Sequence, residues 1–294
     1  MIDSLKNKSY LNVKDHSVSG EEFDLVYNDK FDFLETHPQP SEKKLGDYYE
    51  SEDYISHTDA KRNAFEKVYH YVKGIALKRK LKLINSFLDE QSIDTISEEK
   101  KLLDVGCGTG DFLLVAKDNN WTVSGIEPNQ NARTIANVKT NNSVFDIEQL
   151  FKFEPHSFDV ITLWHVLEHL PKLESHMAIF ESLLKPNGRL VIAVPNYKSY
   201  DANYYKNFWA AFDVPRHLWH FSQTSISRLV ETKNMEVVKT APMIFDAYYV
   251  SLLSEKYKKG AMNPFKAFWI GWQSNRKAKR TTEYSSMIYI IKKG

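Results

Sequence analysis

Residues 102–110 constrain the fold of this chain more than any other stretch. They read Leu-Leu-Asp-Val-Gly-Cys-Gly-Thr-Gly, and Asp111 then opens a segment with apolar residues at helical spacing. Glycine tolerates positive φ and lets a ligand approach the backbone closely, and the start of a helix offers free N–H groups. The stretch therefore predicts a buried strand, a tight turn and a helix N-terminus beneath a nucleotide-like ligand.

Strand and helix patterns alternate from residue 101 to the end of the chain, which is typical of a parallel α/β sheet. We predict strands at 102–105, 121–126, 143–145, 158–163, 189–194, 235–241 and 286–291. We predict helices at 112–117, 130–139, 173–184 and 224–232, and a further pair within 246–280. Ahead of this region, residues 62–90 have helical spacing, and segments 22–27 and 30–34 predict two short strands of a β appendage.

Charge and cysteine content exclude several classes of protein. Lys and Arg total 39 against 38 Asp and Glu, so a net charge of +1 provides no drive toward nucleic acid. Cys107 is the only cysteine, so no intrachain disulfide can form. No apolar run approaches the ~20 residues of a membrane span, and the first ten residues are too polar for a signal peptide. We expect a cytoplasmic protein with no nucleic-acid partner and no stable membrane insertion.

Three interpretations compete for the glycine loop. A dinucleotide-binding loop requires G-x-G-x-x-G and an acidic residue about 20 residues further on. Glu127 supplies the acid, but Asp111 stands where the third glycine belongs. The second interpretation is a purely structural turn. The third, a ligand with an adenosine but no phosphates, fits best, because the Asp111 carboxylate would meet a pyrophosphate unfavourably.

The chain resembles the class I S-adenosylmethionine-dependent methyltransferases over residues 101–241. The resemblance rests on the loop Asp104-x-Gly106-x-Gly108-x-Gly110, on Glu127 after the second strand and on Asp146 after the third; segments 158–161, 164–171 and 185–190 also match. It implies a Rossmann-like, seven-stranded mixed sheet with the last strand antiparallel and helices on both faces. It also implies S-adenosyl-L-methionine as the cofactor.

In this interpretation, each strand end has a role toward the methyl donor. Asp104 would reach the ammonium group of the ligand, and Glu127 would accept from the ribose hydroxyls. By resemblance, Asp146 would accept from the adenine amino group with Ile147 against the ring, although Asp146 also suits a helix N-cap. The predicted cofactor-binding residues are Asp104, Gly106, Cys107, Gly108, Gly110, Glu127, Pro128, Asp146, Ile147, Trp164 and His165.

Residues 165–169 read His-Val-Leu-Glu-His and formally match the zinc-binding pattern H-x-x-E-H. On a helix, His165 and His169 would share a face, but Pro171 follows almost at once, so the helix must be short. His217 and His220 lack further ligands. We therefore expect no metal, and we expect His165 to face the cofactor or substrate, because ligands bind at the carboxyl ends of the strands.

Residues 196–221 form a long aromatic-rich connection, and such connections are often functional lids. Segments 213–217 (Asp-Val-Pro-Arg-His) and 220–222 (His-Phe-Ser) resemble bacterial small-molecule methyltransferases related to quinone-biosynthesis O-methyltransferases. Methyl transfer requires positioning and exclusion of water, and a hydroxyl acceptor must also lose a proton. We predict His217 as the first candidate base, His165 as the second, and Arg216 as a fork donor to an acidic substrate group. The structural alternative pairs Asp213 with Arg216.

The resemblance divides the chain into a β appendage (1–50), a helical lead-in (51–100) and a methyltransferase domain (101–294) with lid insertions at 196–221 and 242–280. Relatives often carry a zinc ribbon with paired cysteines in the appendage, whereas this appendage has none. The aromatic and basic insertion 242–280 favours a lid, then a homodimer contact, and last a membrane-touching face. We predict methyl transfer to a small molecule and favour a hydroxyl oxygen. The alternatives are a non-catalytic S-adenosylmethionine-binding protein and an NAD-dependent oxidoreductase.

Overall fold

A computed structural model describes residues 9–49, 64–89 and 99–294. The strands are β1 (Ser9–Lys14), β2 (Glu22–Asn28), β3 (Phe33–His37), β4 (Lys100–Val105), β5 (Trp121–Ile126), β6 (Val144–Phe145), β7 (Phe158–Trp164), β8 (Leu184–Pro195), β9 (Trp219–His220), β10 (Met235–Pro242) and β11 (Ser286–Lys293). The α-helices are α1 (Glu42–Leu45), α2 (Ala64–Asp89), α3 (Asp111–Lys117), α4 (Gln130–Thr140), α5 (Leu173–Leu183), α6 (Tyr200–Tyr205), α7 (Gln223–Glu231), α8 (Asp246–Lys259) and α9 (Pro264–Thr281). Within the described ranges, no helix combines the length and the apolar composition that crossing a membrane requires.

The main sheet has seven strands in the order β10-β11-β8-β7-β4-β5-β6. Neighbouring strands pair in parallel along β8-β7-β4-β5-β6. β11 pairs antiparallel with both β8 and β10. The predicted mixed sheet with an antiparallel last strand is confirmed. The register places Asp104 opposite Gly125 of β5 and Thr162 of β7, so the ends of three central strands meet at one edge of the sheet.

The central strands are apolar on both sides because the sheet is covered on both faces, as is usual for parallel sheets. Leu103 and Val105 of β4 pack in one hydrophobic cluster with residues of β7, β8 and α5. Leu102 points to the other face, where it packs with Leu113 of α3 and Ile84 of α2. The glycine loop thus extends from a strand that packing fixes on both faces.

The β appendage is a four-stranded sheet in the order β1-β2-β3-β9. β9 comes from the connection after β8, and it pairs antiparallel with β3 through Leu34 and His220. The sequence predicted two of these strands and missed β1 and β9. The predicted second strand at 30–34 begins only at Phe33, because the backbone N–H of Asp32 donates to the Asn28 carbonyl at 2.8 Å and closes a turn.

Helices α3, α4, α5 and α7 lie where helices were predicted, whereas α1 and α6 were not predicted. α2 runs without a break through Gly74, where we expected a weak point, and the predicted loop at 89–100 lies mostly outside the described residues. α8 and α9 form the predicted helix pair. Ile270 of α9 packs with the appendage residues Val13 and Leu25 and with Trp209 of the connection. The appendage, the connection and the C-terminal insertion therefore share one core.

Candidate active site

The loop between β4 and α3 places all three of its glycines in the left-handed region. Gly106, Gly108 and Gly110 have φ angles of 68°, 55° and 76°. A Cβ on Gly106 would lie 2.4 Å from a methyl group of Val166, and one on Gly110 would lie 2.9 Å from Cβ of Ala136. A Cβ on Gly108 would meet nothing within 4 Å. Packing therefore requires the first and third glycines, whereas Gly108 borders open space.

Glu127, which directly follows β5, holds this loop through its carboxylate. The backbone N–H groups of Gly108 and Asn129 donate to Oε2 and Oε1, each at 2.8 Å. The side chain is buried, and burial raises the pKa of Glu127. Each carboxylate oxygen retains a second lone pair. Glu127 can therefore accept further hydrogen bonds from a pair of ligand hydroxyls.

Asp104 lies near the end of β4 and is buried. The Thr162 hydroxyl donates to Oδ1 at 2.6 Å, and burial raises the pKa of Asp104 to about 7. Lys80 of α2 lies over the ring of Trp164, with Nζ 4.2 Å from the ring centroid. Burial lowers the pKa of Lys80 to about 8. A buried carboxyl of this kind gains from any cation that comes beside it.

Asp146 follows β6 and acts as a cap. Its Oδ1 accepts from the Ile147 N–H at 2.6 Å at the start of a 3-10 helix, and its Oδ2 pairs with Arg133 at 2.9 Å. The N-cap alternative is therefore confirmed, and half of the Asp146 side chain remains exposed. Arg133 also donates to the Pro128 carbonyl at 2.9 Å, which links the ends of β5 and β6.

His165 follows the last residue of β7 and sits in the left-handed region with φ 57°. Its Nε2 lies 3.0 Å from Asp246 Oδ2, and its Nδ1 lies 3.4 Å from Glu168 Oε1. Burial lowers the pKa of His165, but these two carboxylates outweigh burial and raise it to about 10. His165 is therefore a cation at neutral pH, a state in which it cannot accept a proton.

Trp164 forms the opposite side of the same strand end. Its ring packs edge-on against Phe112 of α3, with the centroids 5.7 Å apart. Its buried Nε1 has no hydrogen-bond partner among the residues that the structure describes. A buried N–H without a partner is costly, so this donor indicates a ligand or a water beside the strand end.

The guanidinium of Arg216 is used inside the protein. Nε and one Nη donate to the Asp213 carboxylate at 3.0 and 2.7 Å, and the same Nη donates to Asp15 at 3.1 Å. The other Nη donates to the Tyr48 carbonyl at 3.0 Å. Four of the five N–H donors of a guanidinium are thus engaged. The structural alternative, in which Asp213 pairs with Arg216, is confirmed. The guanidinium that we predicted would bind an acidic group of a substrate donates to Asp213 instead.

His217 is buried in the same loop and faces a cluster of side chains. Its Nδ1 lies 2.9 Å from the Ala211 carbonyl oxygen. Its ring packs edge-on against His169, with centroids 4.5 Å apart, and one ligand atom of Glu168 lies within 4.8 Å of both histidines. The structure therefore places the first predicted base beside Glu168 and His169.

Two residues of this region, Lys80 and Asp246, escaped the sequence analysis. Both belong to helices that flank the domain, α2 and α8, and both contact the strand end through side chains distant in sequence. No motif marks either residue. The helical spacing predicted their helices but gave no indication of which face meets the site.

The loop does not suit a dinucleotide. Asp111, at the first position of α3, pairs with Lys73 at 2.6 Å and with Lys139 at 2.7 Å. These ion pairs hold the carboxylate at the helix start. Burial alone would raise the pKa of Asp111, but the two lysines outweigh burial and lower it. Asp111 therefore fills, with a paired side chain, the position at which a dinucleotide loop requires its third glycine.

The same residues fit S-adenosylmethionine. The carboxylates of Asp104 and Glu127 lie at the ends of neighbouring parallel strands, which suits an ammonium group and a ribose diol. The open space at Gly108 allows close approach to the backbone. Burial raises the pKa of the Cys107 thiol and keeps that side chain neutral. The fold and this site together define an S-adenosylmethionine-dependent methyltransferase.

The comparisons with known proteins agree with this class. Residues 74–240, more than half of the chain, match the family model described as a methyltransferase domain. The chain belongs to this methyltransferase family. The methyltransferase interpretation of the glycine loop and S-adenosylmethionine as the cofactor are thereby confirmed.

Relatives and solved structures extend the comparison. The ubiquinone biosynthesis O-methyltransferase of Neisseria meningitidis serogroup A is 31% identical over an alignment of 159 residues; the match covers 46% of this chain and 67% of that protein. The protein of the same name from Azoarcus sp. is 28% identical over an alignment of 165 residues, and the match covers 50% of this chain and 69% of that protein. Magnesium protoporphyrin IX methyltransferase from Synechocystis with bound SAH has a TM-score of 0.53 at 13% identity, covering 86% of this chain and 100% of that one. Phosphoethanolamine N-methyltransferase 2 from Haemonchus contortus, in complex with S-adenosyl-L-methionine, has a TM-score of 0.52 at 14% identity, covering 88% and 61%. The two structures share the fold of this chain.

Proposed function

We propose that this chain transfers the methyl group of S-adenosylmethionine to a hydroxyl oxygen of a small molecule. The main support for binding of the methyl donor is the pair of carboxylates, Asp104 and Glu127, on either side of the glycine loop. The acceptor half is supported by the relatives, which are named as O-methyltransferases of ubiquinone biosynthesis. The methyl donor supplies an electrophilic methyl group on a positively charged sulfur.

For the donor, we propose the roles that the sequence predicted. Asp104 holds the ammonium group, Glu127 accepts from the ribose hydroxyls, and Asp146 accepts from the adenine amino group beside Ile147. The exposed half of the Asp146 side chain supports its role. Further donor contacts are assigned to Gly106, Cys107, Gly108, Gly110, Pro128, Trp164 and His165.

For the acceptor, we propose that His165 positions Asp246 rather than removing a proton. The cationic imidazole is fixed by carboxylates at both nitrogens. We propose that Arg216 fixes the loop before β9, because its donors are engaged by Asp213, Asp15 and Tyr48. The base role of His217 stays a prediction, and His217→Asn, which keeps an amide in the same space, tests it: a base predicts lost turnover with unchanged cofactor affinity.

The arrangement of the chain supports the proposed division into an appendage (1–50), a helical lead-in (51–100) and a methyltransferase domain (101–294). We propose that insertions 196–221 and 242–280 roof the acceptor pocket, since Asp246 at the start of α8 reaches His165. The single cysteine supports the prediction of a cytoplasmic location, and the balanced charge supports the prediction of no nucleic-acid partner.

We propose a homodimer through the outer face of α9. Phe265, Phe268, Trp269 and Trp272 follow helical spacing on this face and are all exposed, Phe265 by 90%. Exposed apolar patches of this kind commonly mark interaction surfaces. Light scattering of the protein and of Trp269→Glu tests the dimer. A monomeric wild-type chain would contradict it.

Two measurements test the proposed reaction. Calorimetry with S-adenosylhomocysteine tests the donor site, and we expect binding. Transfer of a labelled methyl group is then measured with phenols and catechols, and with anilines of the same shape as matched controls. We expect methylated oxygen and unmodified amines. Transfer to the amines alone would refute the oxygen acceptor, and binding without transfer to any compound would favour the non-catalytic alternative.

A further inference from the structure

We propose that Glu168, His169 and His217 form a binding site for a divalent transition-metal ion of the zinc class. One ligand atom of each residue lies within 4.8 Å of the ligand atoms of the other two. Two imidazoles and one carboxylate are a donor set that zinc and its neighbours in the first transition row accept. The site would join the turn after β7 to the loop before β9, two segments far apart in sequence.

The carboxylate of Glu168 is the first observation that points to a cation. The side chain is 1% exposed, and in the described part of the chain neither carboxylate oxygen receives a hydrogen bond. The contact with His165 Nδ1, at 3.4 Å, is an ion pair without hydrogen-bond geometry. Burying an ionised carboxylate without hydrogen bonds is expensive. The ion pair with His165 balances the charge of Glu168 but leaves the lone pairs of both oxygens free, and a metal ion would use them.

The orientation of the two histidines is the second, independent observation. His217 Nδ1 lies 2.9 Å from the Ala211 carbonyl oxygen, and His169 Nδ1 lies 3.1 Å from the Arg216 carbonyl oxygen. A backbone carbonyl can only accept, so each Nδ1 carries a proton, and in the neutral imidazole Nε2 carries the lone pair. His217 Nε2 also lies 4.0 Å from Asp213 Oδ2, a further carboxylate beside the cluster. Metal-binding histidines typically donate their other N–H to a carbonyl in this way. The second shell of a metal site is therefore already in place.

A third contact fixes His169 from the appendage side. The Tyr49 hydroxyl lies 2.9 Å from His169 Nδ1. His169 is thus held by the Arg216 carbonyl from the loop and by Tyr49 from the segment after α1. Both contacts are to the nitrogen that would not bind the metal, so they orient the ring without competing for the ion.

The site differs from the one that the pattern H-x-x-E-H describes. Leu167–His169 is a single 3-10 turn, and His165 is turned toward Asp246 at 3.0 Å. His165 and His169 therefore do not form a pair on one helix face. His217 takes the place of the first histidine, and it comes from a loop that the sequence pattern does not include.

The consequence for the protein is a cross-link between two segments of the acceptor side. Three protein ligands leave at least one coordination position for a non-protein ligand. Coordination through Nε2 also occupies the nitrogen that His217 would need as a general base. The metal role and the base role of His217 therefore exclude each other, which makes the choice between them measurable.

Metal binding is tested on the untagged, full-length protein after treatment with a chelator. Zinc is titrated in competition with a chromophoric chelator, in the absence of any methyl donor or acceptor. We expect one tight equivalent per chain. Glu168→Gln and His217→Ala should weaken this site by more than the ~10–100-fold typical of outer-shell changes. His156→Ala is the matched control, because His156 binds the Leu184 carbonyl outside the cluster, and it should retain the site.

Cobalt provides a readout that does not depend on the stability of the deletion variants. In His217→Cys, Co²⁺ should produce a thiolate-to-metal charge-transfer band that the wild-type protein lacks. The proposal is overturned if the wild-type protein has no tight zinc equivalent. It is also overturned if Glu168→Gln keeps that equivalent, or if the charge-transfer band is missing from the folded His217→Cys protein. None of these results depends on methyl transfer, so the proposed function can fail independently.

Discussion

Replacing Gly106 and Gly108 by alanine separates the two demands on the glycine loop. Both residues have a left-handed backbone, with φ of 68° and 55°. Alanine in this conformation costs about 1–2 kcal/mol. The two substitutions thus share the backbone cost and differ only in what the added Cβ meets.

At Gly106 the Cβ would lie 2.4 and 3.1 Å from the two γ-methyl groups of Val166. Overpacking of this kind adds about 1–3 kcal/mol, so Gly106→Ala should lower the free energy of unfolding by about 2–5 kcal/mol. At Gly108 the Cβ meets nothing within 4 Å. Gly108→Ala should therefore cost only the backbone term, while its methyl group enters the space proposed for the methyl donor.

Urea unfolding and calorimetry with S-adenosylhomocysteine measure the two effects. Gly108→Ala should lose much of the ligand affinity and little stability, and Gly106→Ala should show the larger loss of stability. Adding Val166→Ala to Gly106→Ala should recover part of that loss, because it removes both methyl groups. Equal destabilisation by the two glycine substitutions, or no recovery in the double variant, would refute the reasoning.

Three further predictions concern charged side chains. Glu127→Gln should weaken S-adenosylhomocysteine binding by about 10- to 100-fold, because hydrogen bonds to a charged acceptor contribute ~1.5–3 kcal/mol. Calorimetry measures this affinity, and Glu148→Gln, at an exposed position, is the control that should leave it unchanged. Arg216→Ala should lower the free energy of unfolding by about 3–5 kcal/mol, since it leaves the Asp15 and Asp213 carboxylates unpaired; the exposed pair Lys30–Glu174 is the control, and Lys30→Ala should cost at most ~1 kcal/mol in the same urea titration. The pKa of Asp104 is about 7 in the folded chain against an ordinary 3.8, so its contribution to stability is complete below pH 3.8 and is lost as the pH rises through 7. Asp104→Asn should flatten that decline in urea titrations across the same interval, and an unchanged decline would contradict the assigned pKa.

The sequence predicted the central strands and the glycine loop because their signals are local. β5 has the predicted bounds, and β4 begins two residues earlier than predicted. Both are apolar runs, and each is followed at once by a residue pattern that can be recognised: the glycine loop after β4 and Glu127 after β5. The two strands, the glycine loop and Glu127 could therefore be predicted from one segment of about thirty residues, as for other nucleotide loops.

The loop that carries Arg216 and His217 depends on contacts that no local pattern records. The hydrogen bond between Arg216 and Asp15 joins residues 201 positions apart. The two-residue strand β9 exists only because β3 offers it an open edge. Sequence reasoning identified Arg216 and His217 as notable residues, but their partners were set by how the appendage packs, which spacing along the chain does not reveal.

The pairing of β9 with β3 ties the appendage to the loop that carries Arg216 and His217. The loop that carries Arg216 and His217 is anchored at one end by this pairing and by Asp15 of the appendage. The donor loop, in contrast, is anchored within the main sheet. If this loop lines the acceptor pocket, as proposed, substitutions in β1, β2 and β3 should alter which acceptor is methylated and leave the affinity for the methyl donor intact. The appendage and the loop would then vary together among related methyltransferases, while the donor site stays the same.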